Sequence, residues 1–387
     1  MRGANWCVNW SLALCVVLLS GCSVFGKKTG NEPVELVSFE QTVKLKTAWR
    51  TDVGAGQGEG LTRLTPAIDG ETMYTVDHKG RITALNRLKG KKLWQAKTRE
   101  EISGGISVDS GLLFVGNSSG ELIALSSEDG SELWRKQLSS EILSIPRSNG
   151  TVVAVQTMNG RLYALDARTG DQMWFYESPP PVLILRGTPS PVVTDNAIYA
   201  GFSNGRLMAF NPQNGLILWE QRVAMPQGRS ELERMVDIHA SPVLHEGILY
   251  VATFQGRVSA VARGTGSSVW AQDTSTSEDF VVANGRLFLS QSDGQINCYN
   301  SATGELVWTN DQMLRRGLGA PQVFGKYVAA VDFKGYLHVM DQADGRFVAR
   351  TRVDRKGASA SMLTDGEILY VYGNKGKVTA FTAQEKK

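Results

Sequence analysis

Histidine is the side chain best suited to ligate a metal or pass a proton near neutral pH, and this chain has four: His78, His239, His245 and His338. A metal site needs several such ligands at short, defined spacing. Only His239 and His245 lie near each other, on a predicted strand and its turn, and their spacing predicts no shared metal. The stretch Gly54-Ala-Gly-Gln-Gly-Glu-Gly60 has the glycine density of a phosphate-binding loop. No helix follows to offer N–H groups and a positive dipole, so it reads as a flexible loop between two strands. No nucleophile elbow, Cys-x-x-Cys pair or repeated Asp-rich calcium loop is expected. The 41 basic and 38 acidic residues nearly cancel, which argues against nucleic acid as a partner. The residue types that do chemistry therefore predict no catalytic residue, no metal site and no cofactor.

The regular residues are glycine and tryptophan. Gly80, Gly120, Gly160, Gly205, Gly256 and Gly294 are each followed fourteen positions later by Trp94, Trp134, Trp174, Trp219, Trp270 and Trp308. A second glycine, from Gly90 to Gly304, precedes each of these tryptophans by four. With Gly335 and Gly376 included, successive lead glycines are 40, 40, 45, 51, 38, 41 and 41 residues apart. A period near forty marks stacked units that bury their apolar faces only against one another. Within a unit, short apolar runs such as Leu112–Val115 and Leu122–Leu125 are separated by Asn, Ser, Asp and Gly. That is the composition of strands joined by tight turns. Inner runs at 66–68, 105–108, 191–193, 242–244, 280–282 and 321–323 add a further strand ahead. Four antiparallel strands per unit and eight units predict an all-β, eight-bladed β-propeller.

Lys44–Arg50 carries Trp49 without preceding strands, while no outer strand follows Phe381. The N-terminal segment is therefore expected to complete the last blade and close the ring. Trp49, Trp94, Trp134, Trp174, Trp219, Trp270 and Trp308 are predicted wedges between blades. Ala349 takes the eighth such position, which predicts a softer junction filled by Phe347.

Arg2, the apolar run Leu12–Leu19 and then Leu19-Ser-Gly-Cys22 form a leader too short to span a membrane as a helix. The last four residues resemble a bacterial lipoprotein signal, which implies that Cys22 carries lipid and begins the mature chain. Ser23, and not aspartate, after the cysteine favours the outer membrane. Of the four cysteines, Cys298 alone then stays a free thiol, in a repeat position held by Ala124, Ala164 and Ala209. It predicts a buried small residue. The expected organisation is a signal peptide over 1–21, a lipidated N-terminus and flexible tether over 22–43, one propeller over 44–382 and a tail over 383–387.

Connections between blades take 26 residues from Trp94 to Gly120, but 31 from Trp174 to Gly205 and 37 from Trp219 to Gly256. Extra residues in a propeller project as loops on one face, where binding usually lies. The first insertion holds Ser178-Pro-Pro-Pro-Val-Leu183-Ile-Leu185-Arg186-Gly187, suited either to docking a protein or to burial against the next blade. The second runs from Gln227 to His239, and Ser230 with Glu233 predicts a capped helical turn. The two flank one blade and are expected to form a single surface.

Repeats such as Ala164-Leu-Asp-Ala-Arg-Thr-Gly170-Asp-Gln-Met-Trp174 resemble the propellers of quinoprotein dehydrogenases. With the lipoprotein leader, eight blades and no catalytic appendage, the chain resembles the BamB family, lipoprotein accessories of the outer-membrane β-barrel assembly (BAM) machinery. The resemblance covers essentially the whole mature chain. It implies a noncatalytic scaffold, lipid-anchored in the outer membrane and facing the periplasm. Such a scaffold works as a monomer within a hetero-complex, binds the POTRA domains of BamA and assists insertion of barrel proteins. Strand addition at blade edges would be one route for unfolded barrel precursors. In the family a Leu-x-Leu-Arg loop and a nearby acidic segment carry the BamA contact. Leu183, Leu185 and Arg186 match the loop and Asp237 fits the segment, while His239 stands where a further acidic residue is expected. Two other readings stay open: a ligand- or cell-wall-binding propeller lipoprotein, and a quinone-dependent dehydrogenase. The second would bring a vicinal Cys-Cys pair, calcium ligands and a longer chain.

Overall fold

The computed structural model describes residues 32–59 and 62–386. The leader and the expected lipidation of Cys22 lie outside them. The described chain is all-β: thirty-two strands in eight four-stranded antiparallel sheets, each one blade of an eight-bladed propeller. Blade 1 comprises Ala67–Asp69, Thr72–Val76, Arg81–Asn86 and Lys92–Lys97, and the next six blades follow in chain order. Inner strands of blades 3 and 8, Arg147–Ser148 and Leu363–Thr364, carry no apolar run in the sequence, because the first is wholly polar and the second has a single apolar residue. Blade 8 takes its outer strand from the other end of the chain: Val43–Asp52 pairs antiparallel with Lys377–Glu385. Ala383 to Glu385, expected as a tail, are thus part of the closing strand and pair with Leu45, Lys44 and Val43.

The register explains the repeat. In the third and fourth strands of seven blades a small residue faces the tryptophan: Ala84 with Trp94, Ala124 with Trp134, Ala164 with Trp174, Ala209 with Trp219, Ala260 with Trp270, Cys298 with Trp308, and Ala380 with Trp49. The small side chain lets the indole reach across to an aromatic ring on the second strand, as Trp94 reaches Tyr74 with ring centroids 6.0 Å apart. Cys298 fills this slot, fully buried. It packs in an apolar cluster, and burial pushes its thiol up to about 11 against the opposing pull of Arg286, as expected of an inert packing residue. In the other direction each indole reaches the next blade. Trp174 donates its Nε1–H to Pro212 O at 2.7 Å and lies against Gly215, where a Cβ would come within 2.7 Å of the ring. Gly215 also has φ +71, so both its conformation and its lack of a side chain are required.

Blade 7 breaks the pattern, with Val339 facing Ala349. The reason is topological. Every wedge rests on the turn between the third and fourth strands of the next blade, and blade 8 has no such turn because its fourth strand is Val43–Asp52. Phe347 does not fill the gap, contrary to expectation. It packs on the opposite side with Phe288 and Trp308 of blade 6, while Val43, Phe381 and Tyr327 close the junction around Ala349.

The segment expected to be a free tether as far as residue 43 is instead fastened to the ring from Val34 onward. Val34 N–H donates to Leu314 O, and Arg316 Nη1 and Arg350 Nη1 donate to the carbonyls of Val34 and Val37. Phe39 stacks on Phe347 at 5.3 Å. Both arginines are set by buried Asp332 and His338. Asp332 Oδ2 accepts from Arg316 Nε and Nη2 and from His338 Nε2, and Arg350 Nε donates to His338 Nδ1. Burial opposes the charge on Asp332, but the bonds from His338, Tyr336 N–H and Arg316 outweigh it and hold its carboxyl below the usual range. Residues 54–58 are likewise tied down and not flexible: Gln57 N–H donates to Asn374 O, and His78 N–H to Gly56 O.

Trp174→Ala should cost about 3–5 kcal/mol in chemical denaturation. Gly215→Ala should cost clearly more than Gly247→Ala, since both have positive φ but nothing lies within 4 Å of a Cβ at Gly247. Equal losses at the two glycines would remove the indole contact from the explanation.

Candidate partner-binding face

The two long insertions lie on either side of blade 4 and meet. In the first, Val182 is 93% exposed and Leu183 40% exposed, while Ile184 and Leu185 are half-buried. The apolar run is therefore divided: Val182 and Leu183 face solvent, and Leu185 turns inward to the mouth of the central channel. The Arg186 side chain is 55% exposed, and its Nη2 sits 2.7 Å from Glu141 Oε1 on the connection between blades 2 and 3.

The second insertion starts with the predicted cap. Ser230 Oγ accepts from Glu233 N–H while Glu233 Oε2 accepts from the N–H groups of Arg229 and Ser230. One helical turn forms, closed by Arg234 N–H to Ser230 O at 3.1 Å, and no helix follows. The chain then dives between blades. Met235 to Ile238 are buried, with Ile238 N–H on Phe202 O and Phe254 N–H on Asp237 O.

This descent places Asp237 and His239 under the first insertion. Asp237 Oδ2 accepts the Leu185 N–H at 2.6 Å, and His239 Nε2 lies 3.1 Å from Arg186 O with its Nδ1 2.8 Å from Ser277 O. Gly187, at φ +137, passes so close that a Cβ would be 2.4 Å from His239 Nε2. Leu183, Leu185, Arg186 and Asp237, singled out in the sequence, are thus neighbours. Asp237, expected as a contact residue, is however only 3% exposed and is engaged by the backbone of Leu185. Its neighbours in sequence are apolar and packed into the ring, which forces the carboxylate inward. Glu141 carried no signal, because its connection has ordinary length. His239 was marked only as a departure from the acidic pattern.

Burial pushes the Asp237 carboxyl up to about 6, the Leu185 N–H opposing, and its Oδ1 is buried without a partner. Burial and then Arg63 lower His239 from its ordinary value, so near neutral pH the ring is uncharged and donates to one of its two carbonyls. Arg63 pairs with Glu278 at 2.7 Å in the channel mouth, a cavity of about 640 Å³ that Leu185 and Arg186 also line. Burial lifts Glu278 to about 7 against the pull of Arg63. Gly116–Gly120 and Gly201–Gly205 have the spelling Gly-x-Ser-x-Gly, but both are hairpin turns between strands and not nucleophile elbows.

A carboxyl whose folded pKa is raised binds its proton more tightly in the folded state, so its ionisation destabilises the fold as pH rises from about 4 to about 6. Asp237→Asn keeps an acceptor for Leu185 without that cost. The variant should match the parent near pH 4 and exceed it at pH 7 by on the order of 2–3 kcal/mol in unfolding free energy. A difference independent of pH would contradict the burial of the charge.

The family model for "Outer membrane protein assembly factor BamB" matches residues 24–101, 78–310 and 292–386. Assembly factors of that description are 49% identical in Pseudomonas aeruginosa, over 96% of this chain and 97% of theirs. In Kangiella koreensis the figures are 40%, 93% and 92%, and in Escherichia coli 31%, 95% and 97%. Among solved structures, BamB from Moraxella catarrhalis superposes with a TM-score of 0.79 at 24% identity, covering 88% of this chain and 100% of that one. A quinohemoprotein alcohol dehydrogenase from Comamonas testosteroni shares the propeller, with a TM-score of 0.68 at 15% identity over 87% of this chain and 76% of its own. The likeness to dehydrogenases is one of fold, while the near full-length identity places the function: the chain belongs to the BamB family of outer-membrane protein assembly factors.

Proposed function

We propose that this assembly factor is a noncatalytic scaffold that carries no cofactor and docks the periplasmic POTRA domains of a BamA-like barrel protein through the face built by the two insertions. The observation that carries the reading is Leu183 and Arg186, an apolar side chain and a cation exposed together on a loop whose main chain is held at Leu185 by Asp237 and packed against His239 at Arg186 and Gly187. Holding the loop in one shape before the partner arrives lowers the ordering cost of association. Arginine is one of the residue types in which interface energy concentrates, and the exposed leucine beside it offers apolar area for a partner to cover. A lipid on Cys22 would hold the ring at the periplasmic side of the outer membrane, and the docked ring would present unfolded barrel precursors to the machinery.

Arg186→Glu puts a carboxylate beside Glu141 and reverses the charge offered to the partner. It should weaken binding of purified BamA POTRA domains by more than about tenfold, with the unfolding midpoint unchanged within about a degree. Unaltered affinity in calorimetry would remove Arg186 from the contact.

A further inference from the structure

We infer that Asp237 is a positioning residue of the docking face: it sets the main chain of Leu185 and does not touch the partner. The inference rests on the docking reading above, but the two fail in different ways. Three observations support it. Asp237 is 3% exposed and lies in the buried run Met235–Ile238, whose backbone is bonded into the hairpin turns of blades 4 and 5. Reaching a partner would mean pulling that run out of the ring. Its Oδ2 is already spent on the Leu185 N–H at 2.6 Å, a bond across fifty-two residues that joins one insertion to the other. Two residues on, His239 Nε2 lies 3.1 Å from the Arg186 carbonyl, so the two-residue unit Leu185–Arg186 is bracketed by the second insertion, at its leading N–H by Asp237 and at its trailing carbonyl by His239. With that unit fixed, Leu183 and Arg186 project to solvent while Leu185 turns into the channel mouth. The carboxylate thus acts through geometry, and its negative charge is incidental to binding.

That separation of charge from geometry is testable, because Asn keeps an oxygen acceptor and loses the charge. With the full-length protein and purified POTRA domains, Asp237→Asn should bind within about twofold of the parent, and Asp237→Ala should bind about tenfold or more weakly, the loss of one buried hydrogen bond. If Asn weakens binding as much as Ala, the charge itself meets the partner and the inference is wrong. Hydrogen exchange at the Leu185 amide gives a readout independent of any partner. It should be protected in the parent and in Asp237→Asn and exposed in a folded Asp237→Ala. An amide equally protected in all three overturns the positioning role. A parent chain that fails to bind POTRA domains sinks the docking reading instead, while the exchange measurement still decides what Asp237 holds.

Discussion

The constraint on which the molecule depends is the contact of one indole with one glycine of the following blade. Each blade alone has a two-sided apolar sheet that it cannot bury, and the wedge fixes how the next blade approaches. Three demands meet at that contact. The glycine needs positive φ, it must lack a Cβ, and a small residue must face the tryptophan so that the indole can spread over its own blade as well. The Nε1–H adds direction, since a carbonyl of the neighbouring turn accepts it at every wedge, from Arg87 O for Trp49 to Gln342 O for Trp308. A ring built this way transmits geometry from blade to blade, and that rigidity lets loops on one face be aimed.

Closure is where the pattern must fail once. Borrowing the last outer strand from the other end of the chain removes the turn against which a wedge would rest, so Ala349 is a consequence of topology and not a defect. The blade before the seam is secured differently, by the strap beginning at Val34 and by an arginine pair held on buried Asp332 and His338. A buried carboxylate with cations and hydrogen bonds all round it is satisfied where an isolated one would be costly.

Asp237 shows the opposite balance. It has one backbone donor and an unpartnered second oxygen, so burial wins and its carboxyl rises toward neutrality. A group kept at such a cost is explained by what it holds, the turn of chain that presents Leu183 and Arg186. The face is thus made from a first insertion that shows Val182, Leu183 and Arg186 to solvent and a second whose exposed start runs into a buried stretch, Met235–Ile238, that supports the first from beneath.

Sequence alone determined the blade count, the strand alternation, the closing strand and the wedges, because these follow from local periodicity: a glycine, a small residue and a tryptophan at fixed separation have one way to pack. It also placed the two insertions together on one face, since extra residues between blades must project as loops. Tertiary structure decided what each residue of that face does. Glu141 lies in a connection of ordinary length, yet it meets Arg186 across 45 residues of chain. Asp237 reads as a surface acid in the sequence and is buried in the ring. Nothing in the local pattern of Val34 to Gln41 marks it as lying on the ring, because its anchors, Arg316 and Arg350, come from the far end of the chain. Such pairings depend on how the closed ring brings distant segments together, and no spacing along a single strand records them.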